Sequence, residues 1–198
     1  MFKNLFNSIK VIVSEFRTPT KTYEYKDLRK LIILREKKRL AKLCNIKKFD
    51  AFCAGVISIS RLEGFNPWCI ITQAWHESGA FKRVIGNYNF WGIKKTRRWT
   101  GKICAVTTHE YVKGVKTKMK LDFIDFPDLP AALIWYVAFI KRMYPIAYIN
   151  RDNPESYFLG MVIGRWKFAT DPEYVQKLNN TYKKLRKNIY LKELLKGD

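Results

Sequence analysis

Apolar residues recur at helical spacing along most of the chain and switch to period two in one segment. At the amino terminus Phe2, Leu5, Phe6, Ile9, Ile12, Val13 and Phe16 form an amphipathic stripe, with Lys3, Asn4, Asn7, Ser8 and Lys10 between them. A second helical stretch, 27–43, sets Leu28, Leu31, Ile32, Leu34 and Leu40 among seven Lys and Arg residues, and Thr18-Pro19-Thr20 between the two reads as a hinge. A helix follows over 51–63. The next begins at Asn66-Pro67, a cap followed by proline at the first helical position, and stops at Gly79. Between 103 and 123 the period changes. Val115, Thr117, Met119, Leu121 and Phe123 alternate with Lys116, Lys118, Lys120 and Asp122, the pattern of a half-buried strand, and Lys113-Gly114 supplies the hairpin turn. Helical patterns return at 129–143 behind an Asp128 cap, and Asn153-Pro154 and Asp171-Pro172 each read as a cap with proline after it. These elements predict an α+β fold, mainly α, with a helical lobe facing a small β-hairpin lobe.

Composition bounds what such a fold does. The 198 residues, 47% hydrophobic, suit one globular domain plus an appendage. Residues 1–48 carry 14 Lys and Arg against 4 Asp and Glu, a net of +10 (14 − 4), and form a basic helical N-terminal extension ahead of a domain over 49–198. It reads as packing on the domain with a solvated basic face, or as a docking arm for an anionic surface or a protein assembly. The net charge of +21 points to a polyanionic partner: nucleic acid, an anionic membrane surface or an anionic cell wall. No nucleic-acid-binding motif is present, which disfavours the first. Cys44, Cys53, Cys69 and Cys104 are scattered, with only His76 and His109 to help them, a spacing that argues against a zinc site. Cys53 and Cys69 fall in apolar helical stretches and read as reduced buried thiols. Neither a cofactor nor a metal is expected. The N-terminal stripe lacks the continuous apolar core and cleavage site of a secretion signal, and no uncharged run approaches the roughly 20 residues of a membrane span. Synthesis in the cytoplasm without a signal peptide is the expectation.

Glu77 is the focal candidate. It lies in Ile70-Ile71-Thr72-Gln73-Ala74-Trp75-His76-Glu77-Ser78-Gly79, in the last turn of an apolar helix. The negative end of the helix dipole and the apolar neighbours both disfavour its charge, so its pKa should rise, as a general acid near neutral pH requires. A solvated surface glutamate is the plain alternative.

Further residues extend the pattern: Asn87-Tyr88-Asn89-Phe90-Trp91-Gly92-Ile93-Lys94, Trp99-Thr100-Gly101, Thr107-Thr108-His109-Glu110-Tyr111 and Phe168-Ala169-Thr170-Asp171-Pro172-Glu173-Tyr174. In this order the segments resemble the flagellar-type peptidoglycan N-acetylglucosaminidases, glycoside hydrolase family 73 of the lysozyme-like superfamily, over residues 55–185. The resemblance implies a lysozyme-like helical lobe, a β-hairpin lobe and a peptidoglycan hydrolase cutting the β-1,4 glycan backbone as an endo-N-acetylglucosaminidase. Glycan hydrolysis uses two carboxyl groups, one protonated and one ionised. Glu77 is the acid, and Glu110 matches the family's second acidic position, where it would activate water. Inversion, retention and participation by the substrate's acetamido group all stay open. Tyr88, Trp91, Trp99 and Tyr111 are candidate sugar-stacking walls, with core packing as the competing use of each. Asn89 matches an Asn suited to hold its loop or contact substrate. Phe168 departs from the family's tyrosine, keeping the ring and losing the hydroxyl, while Tyr174 of the same motif is present.

A strongly cationic hydrolase gains affinity and on-rate from the acidic wall. A bacteriophage lysin or virion-borne hydrolase fits an unsignalled basic enzyme with a docking arm. The rivals are a muramidase or lytic transglycosylase of the same fold, and a non-catalytic basic binding or virion protein.

Overall fold

The computed structural model describes the backbone of residues 25–112 and 115–196 and the side chains of 27–108 and 117–196. The stripe over 2–16, the Thr18-Pro19-Thr20 hinge and the Lys113-Gly114 turn lie outside the described residues. The chain divides into two units, 1–32 and 33–198. Helix α1 (Tyr25–Ala41) enters the second unit with its C-terminal half. There Lys37 bonds Asp50 at 2.8 Å, and Leu40 and Cys44, which belong by sequence to the basic extension, join the core at 3% and 7% exposure.

Four further helices start where the sequence provides a side-chain acceptor for the orphan N–H groups of the first turn. In α2 (Ile46–Glu63) Asn45 accepts from the Lys48 amide at 3.2 Å, which starts the helix five residues ahead of the expected Ala51. In α3 (Pro67–Glu77) Asn66 accepts from the Trp68 amide at 3.1 Å. In α4 (Leu129–Met143) Asp128 accepts from the Ala131 amide at 2.7 Å. A short α5 (Pro145–Ile149) follows, and in α6 (Pro154–Gly160) Asn153 accepts from the Ser156 amide at 3.1 Å. Helix α7 (Tyr174–Arg186) begins later than the Asp171-Pro172 pattern predicts. Asp171 spends its carboxylate on the Glu173 amide at 2.9 Å and its carbonyl on the Tyr174 amide at 3.1 Å, forming a turn ahead of the helix. Helix α8 (Ile189–Lys196) closes the described chain.

Helices α2, α3, α4, α6 and α7 enclose a core rich in aromatic rings. Phe49, Phe52, Phe81 and Phe90 interlock edge-on or tilted at 4.5–5.2 Å between centroids. Strands β1 (Ile103–Val112) and β2 (Val115–Ile124) pair antiparallel from Ile103 opposite Ile124 to Val112 opposite Val115. Along β2, Met119, Leu121 and Phe123 turn inward while Lys118, Lys120 and Asp122 are exposed, as the period-two pattern predicts; Thr117, expected on the inward side, is exposed.

Asn89 fastens its own loop to the hairpin's root. It is 1% exposed, its amide donates to the Ile93 and Ile124 carbonyls at 2.9 Å each, and its oxygen accepts from the Ile93 amide at 2.9 Å. Gly92 turns the loop with φ of 61°, a left-handed conformation that glycine adopts freely. Removing the Asn89 amide strands buried backbone groups of both segments, so Asn89→Ala should cost about 2 kcal/mol in chemical denaturation.

Candidate active site

Glu77 is the last residue of α3, whose preceding turns bury Cys69, Ile70, Ile71, Thr72, Gln73 and Ala74. The chain then reverses sharply through three consecutive left-handed residues, Gly79, Ala80 and Phe81, with φ of 57°, 59° and 63°. Such backbone is unfavourable for Ala and Phe and persists only where the surroundings fix it. Here Ser78 donates through its hydroxyl to the Ala74 carbonyl at 2.6 Å and accepts from the Phe81 amide at 2.9 Å. The Ala80 amide reaches the Trp75 carbonyl at 2.8 Å, and the Phe81 ring is buried in the aromatic core. The Glu-Ser-Gly sequence thus ends the helix within one residue of the carboxylate.

The Glu77 carboxyl is half-buried, and burial pushes its pKa from the ordinary 4.5 up to about 7. A hydrogen bond donated by the Tyr174 hydroxyl to Oε1 at 2.6 Å works the other way, supporting the ionised form. Burial wins. The result is an acid that holds its proton near neutral pH beside a donor that steadies the carboxylate once the proton has gone. Burial also holds Tyr174 well above the ordinary tyrosine value, so it remains a donor. His76 packs edge-on against Tyr174 at 5.6 Å and has a lowered pKa, from burial first and the Lys177 charge second.

Behind Tyr174 lies a group of buried polar side chains that sequence reading missed. Gln73 donates to the Tyr174 hydroxyl at 3.1 Å, and its carbonyl oxygen accepts from Tyr136 in a short hydrogen bond and from Tyr157 at 3.2 Å. The available signal was the amide of Gln73 in the otherwise largely apolar run Ile70-Ile71-Thr72-Gln73-Ala74, one helical turn before Glu77 and on the same face.

The other candidate residues separate into distinct environments. Phe168 lies with its ring nearly parallel to that of Tyr174, centroids 6.1 Å apart at 17°, which keeps an aromatic ring beside Tyr174 without a hydroxyl. Tyr88 and Trp99 are half-buried. The Trp99 indole N–H is committed to the Lys102 carbonyl at 2.7 Å, and its ring meets Phe126 edge-on at 5.3 Å. Trp91, favoured by sequence as a sugar-stacking wall, is instead a core residue. It is 1% exposed and its indole stacks on Tyr136 at 3.9 Å and 12°, so no ring face is open to a ligand. Glu110 and Tyr111 fall on β1 opposite Thr117 and Lys116; their side chains lie outside the described residues. Cys44, Cys53 and Cys69 are buried, with thiol pKa values raised by desolvation. Among the described residues no group of three or more His, Cys, Asp or Glu side chains could hold a metal ion, and no helix is long and apolar enough to cross a membrane.

The model of the glucosaminidase family, described as mannosyl-glycoprotein endo-β-N-acetylglucosaminidase, matches residues 53–187. The chain belongs to this family. It is 31% identical over 133 residues to the peptidoglycan hydrolase FlgJ of Salmonella typhimurium, across 64% of this chain and 42% of that protein. The chain therefore spans about two fifths of the length of this curated relative. Among solved structures, a C-terminally truncated glycoside hydrolase domain of the Salmonella typhimurium FlgJ superposes with a TM-score of 0.53 at 29% identity, covering 70% of this chain and 98% of that one. A mutant peptidoglycan hydrolase from Sphingomonas sp. A1 shares the fold, with a TM-score of 0.63 at 22% identity, over 77% of this chain and 99% of that one. The lysozyme-like fold expected from sequence is the fold observed.

The raised Glu77 pKa has a consequence for stability. A carboxyl with a folded value near 7 against an ordinary 4.5 favours the folded state most below about 4.5, and that contribution is lost as pH rises through 7. Glutamine is neutral throughout. Glu77→Gln should therefore raise the melting temperature relative to wild type at pH 8 and by clearly less at pH 5, read by thermal melts at both. Tyr174→Phe removes the donor that supports the charged form, so the Glu77 pKa should move further up in a carboxyl titration followed by NMR.

Proposed function

We propose that the chain is a peptidoglycan hydrolase that cleaves the β-1,4 glycan backbone as an endo-N-acetylglucosaminidase, acting at the bacterial cell wall. The observation that carries this reading is the Glu77 carboxyl, protonated near neutral pH at the end of a buried helix and hydrogen-bonded by Tyr174. Glu77 donates its proton to the glycosidic oxygen as the bond to the anomeric carbon breaks. The Tyr174 hydroxyl stabilises the carboxylate left behind, a charge-assisted bond stronger than its neutral counterpart. Glu110 takes a proton from the attacking water. Phe168, Tyr88, Trp99 and Tyr111 supply aromatic surface for sugar rings. Peptidoglycan as the substrate rests on the FlgJ relative, and the net charge of +21 favours capture by an anionic wall. Residues 1–48 supply +10 of that +21, and ahead of Leu40 and Cys44, which sit in the core, they serve as its docking arm.

Turbidity clearing of purified sacculi tests the acid. Glu77→Gln should keep its circular dichroism and lose on the order of a hundredfold or more in rate. Clearing by a folded mutant at the wild-type rate would remove Glu77 from the role. Borohydride reduction and mass spectrometry of the products test the bond. Reducible N-acetylglucosamine at the new ends is expected; N-acetylmuramic acid there would make the enzyme a muramidase, and 1,6-anhydro ends a lytic transglycosylase. Glu110→Gln should slow hydrolysis strongly, whereas a mild loss would assign the nucleophile to the substrate's acetamido group.

A further inference from the structure

Gln73 is fully buried at the centre of the helical lobe, joined to residues far away in sequence. Its partners Tyr136, Tyr157 and Tyr174 come from α4, α6 and α7, so four helices meet at this one amide. A tyrosyl hydroxyl has one proton and two lone pairs, which makes the direction of each bond traceable. Tyr136 gives its proton to the Gln73 carbonyl oxygen. In the 2.6 Å contact between the Tyr136 and Tyr157 hydroxyls Tyr157 is then the donor, and its one proton is shared between the Tyr136 oxygen and the Gln73 carbonyl oxygen at 3.2 Å. The Gln73 amide nitrogen donates to the Tyr174 oxygen at 3.1 Å, which leaves the Tyr174 proton for Glu77 Oε1 at 2.6 Å. Every donor from Tyr157 onward faces Glu77.

We propose that Gln73 is a positioning residue for the Glu77 carboxyl, the middle of a one-way hydrogen-bond relay, Tyr157 to Tyr136 to Gln73 to Tyr174, that aims the Tyr174 proton at Oε1. The assignment deepens the reading of Glu77 as the acid and rests on it. An amide is suited to the place because it accepts at one end and donates at the other. A carboxylate there would draw the Tyr174 proton to itself, and an apolar residue would leave Tyr174 free to turn. With Oε1 held as the acceptor, Oε2 is the oxygen that carries the transferable proton. Donors in series polarise one another, so the far tyrosines strengthen the last bond without touching Glu77. Tyr136 and Tyr157 are wholly buried, with pKa values held well above the ordinary range, and remain donors. The charged or titratable neighbours of the relay include His76 beside Tyr174, Cys69 on α3, Tyr144 at the end of α4, and Asp171, Glu173 and Lys177 around the start of α7, where Lys177 bonds Asp171 at 2.7 Å and Glu173 at 3.1 Å.

The test is a titration of the Glu77 carboxyl in the full chain by carbon-13 NMR, with glutamate labelled and the signal assigned by its loss in Glu77→Gln. Gln73→Leu should move the Glu77 pKa up, by less than Tyr174→Phe does, and Tyr157→Phe should move it up by less again. Sacculus clearing should show a maximal rate roughly tenfold lower in Gln73→Leu at an unchanged half-saturating substrate concentration, a loss typical of one mispositioned hydrogen bond. Gln73→Glu should lose more than Gln73→Leu, because it reverses the bond to Tyr174. Tyr157→Phe is isosteric and carries the test if Gln73→Leu does not fold. An unchanged Glu77 pKa in the folded variants, with activity falling only as melting temperature falls, would make the cluster structural filler and overturn the relay. A downward shift would overturn it too, by showing that the bonds run the other way. Because the NMR titration needs no turnover, wild-type protein that leaves sacculi intact would defeat the proposed function while leaving the relay to be judged on its own signal.

Discussion

One constraint organises the molecule: a carboxyl group must be kept largely out of water at the end of a helix that runs through the core. Burial and the helix dipole both oppose its charge, and the Tyr174 hydroxyl supports it. The balance between them sets the acid near 7, and each side draws on a different part of the fold. Desolvation comes from the apolar face of α3 and the rings around it. Support comes from α7, delivered across the core by Tyr174. The Ser78 bonds and the left-handed run from Gly79 to Phe81 stop the helix directly after Glu77, so that a further turn does not cover the carboxyl completely.

Local features of this arrangement were legible in the sequence because local chemistry dictates them. Asn66-Pro67, Asp128 and Asn153-Pro154 start helices through side-chain bonds two or three residues long, and the alternation along β2 reports a strand with one inward face. Asp171-Pro172 misled by two residues, since an aspartate can close a turn as readily as cap a helix. Periodicity shows that a residue faces inward and says nothing of what it meets there. Gln73 meets Tyr136, Tyr157 and Tyr174 across 63, 84 and 101 residues, separations no local pattern encodes. Trp91 failed for the same reason: the loop that follows it carries Lys94, Lys95 and Arg97, yet the ring stacked on it is Tyr136 from α4, with Phe52 from α2 beside it.

The motif Asn89-Phe90-Trp91-Gly92-Ile93-Lys94 has a structural meaning once these contacts are known. Asn89 fastens the loop to the root of the hairpin, Phe90 and Trp91 anchor it in the helical core, and Gly92 turns the chain between them. A motif that resembles a binding loop is here largely the joint between two lobes. Lys94 at its end is exposed.

The chain's charge and the acid's pKa pull in opposite directions, and their ranges decide which prevails. A surplus of 21 positive charges favours an ionised carboxylate, yet Glu77 is held protonated. Surface charges are screened within roughly 8–10 Å at physiological salt, whereas desolvation acts on the carboxyl itself and is not screened. Lys177, whose charge reaches His76, is already engaged by Asp171 and Glu173. Under the proposed function the basic surface acts on the approach of an anionic polymer, while the burial around Glu77 acts on the proton. Salt and pH address these two functions separately, so the chain carries a large positive charge without discharging the acid at its centre.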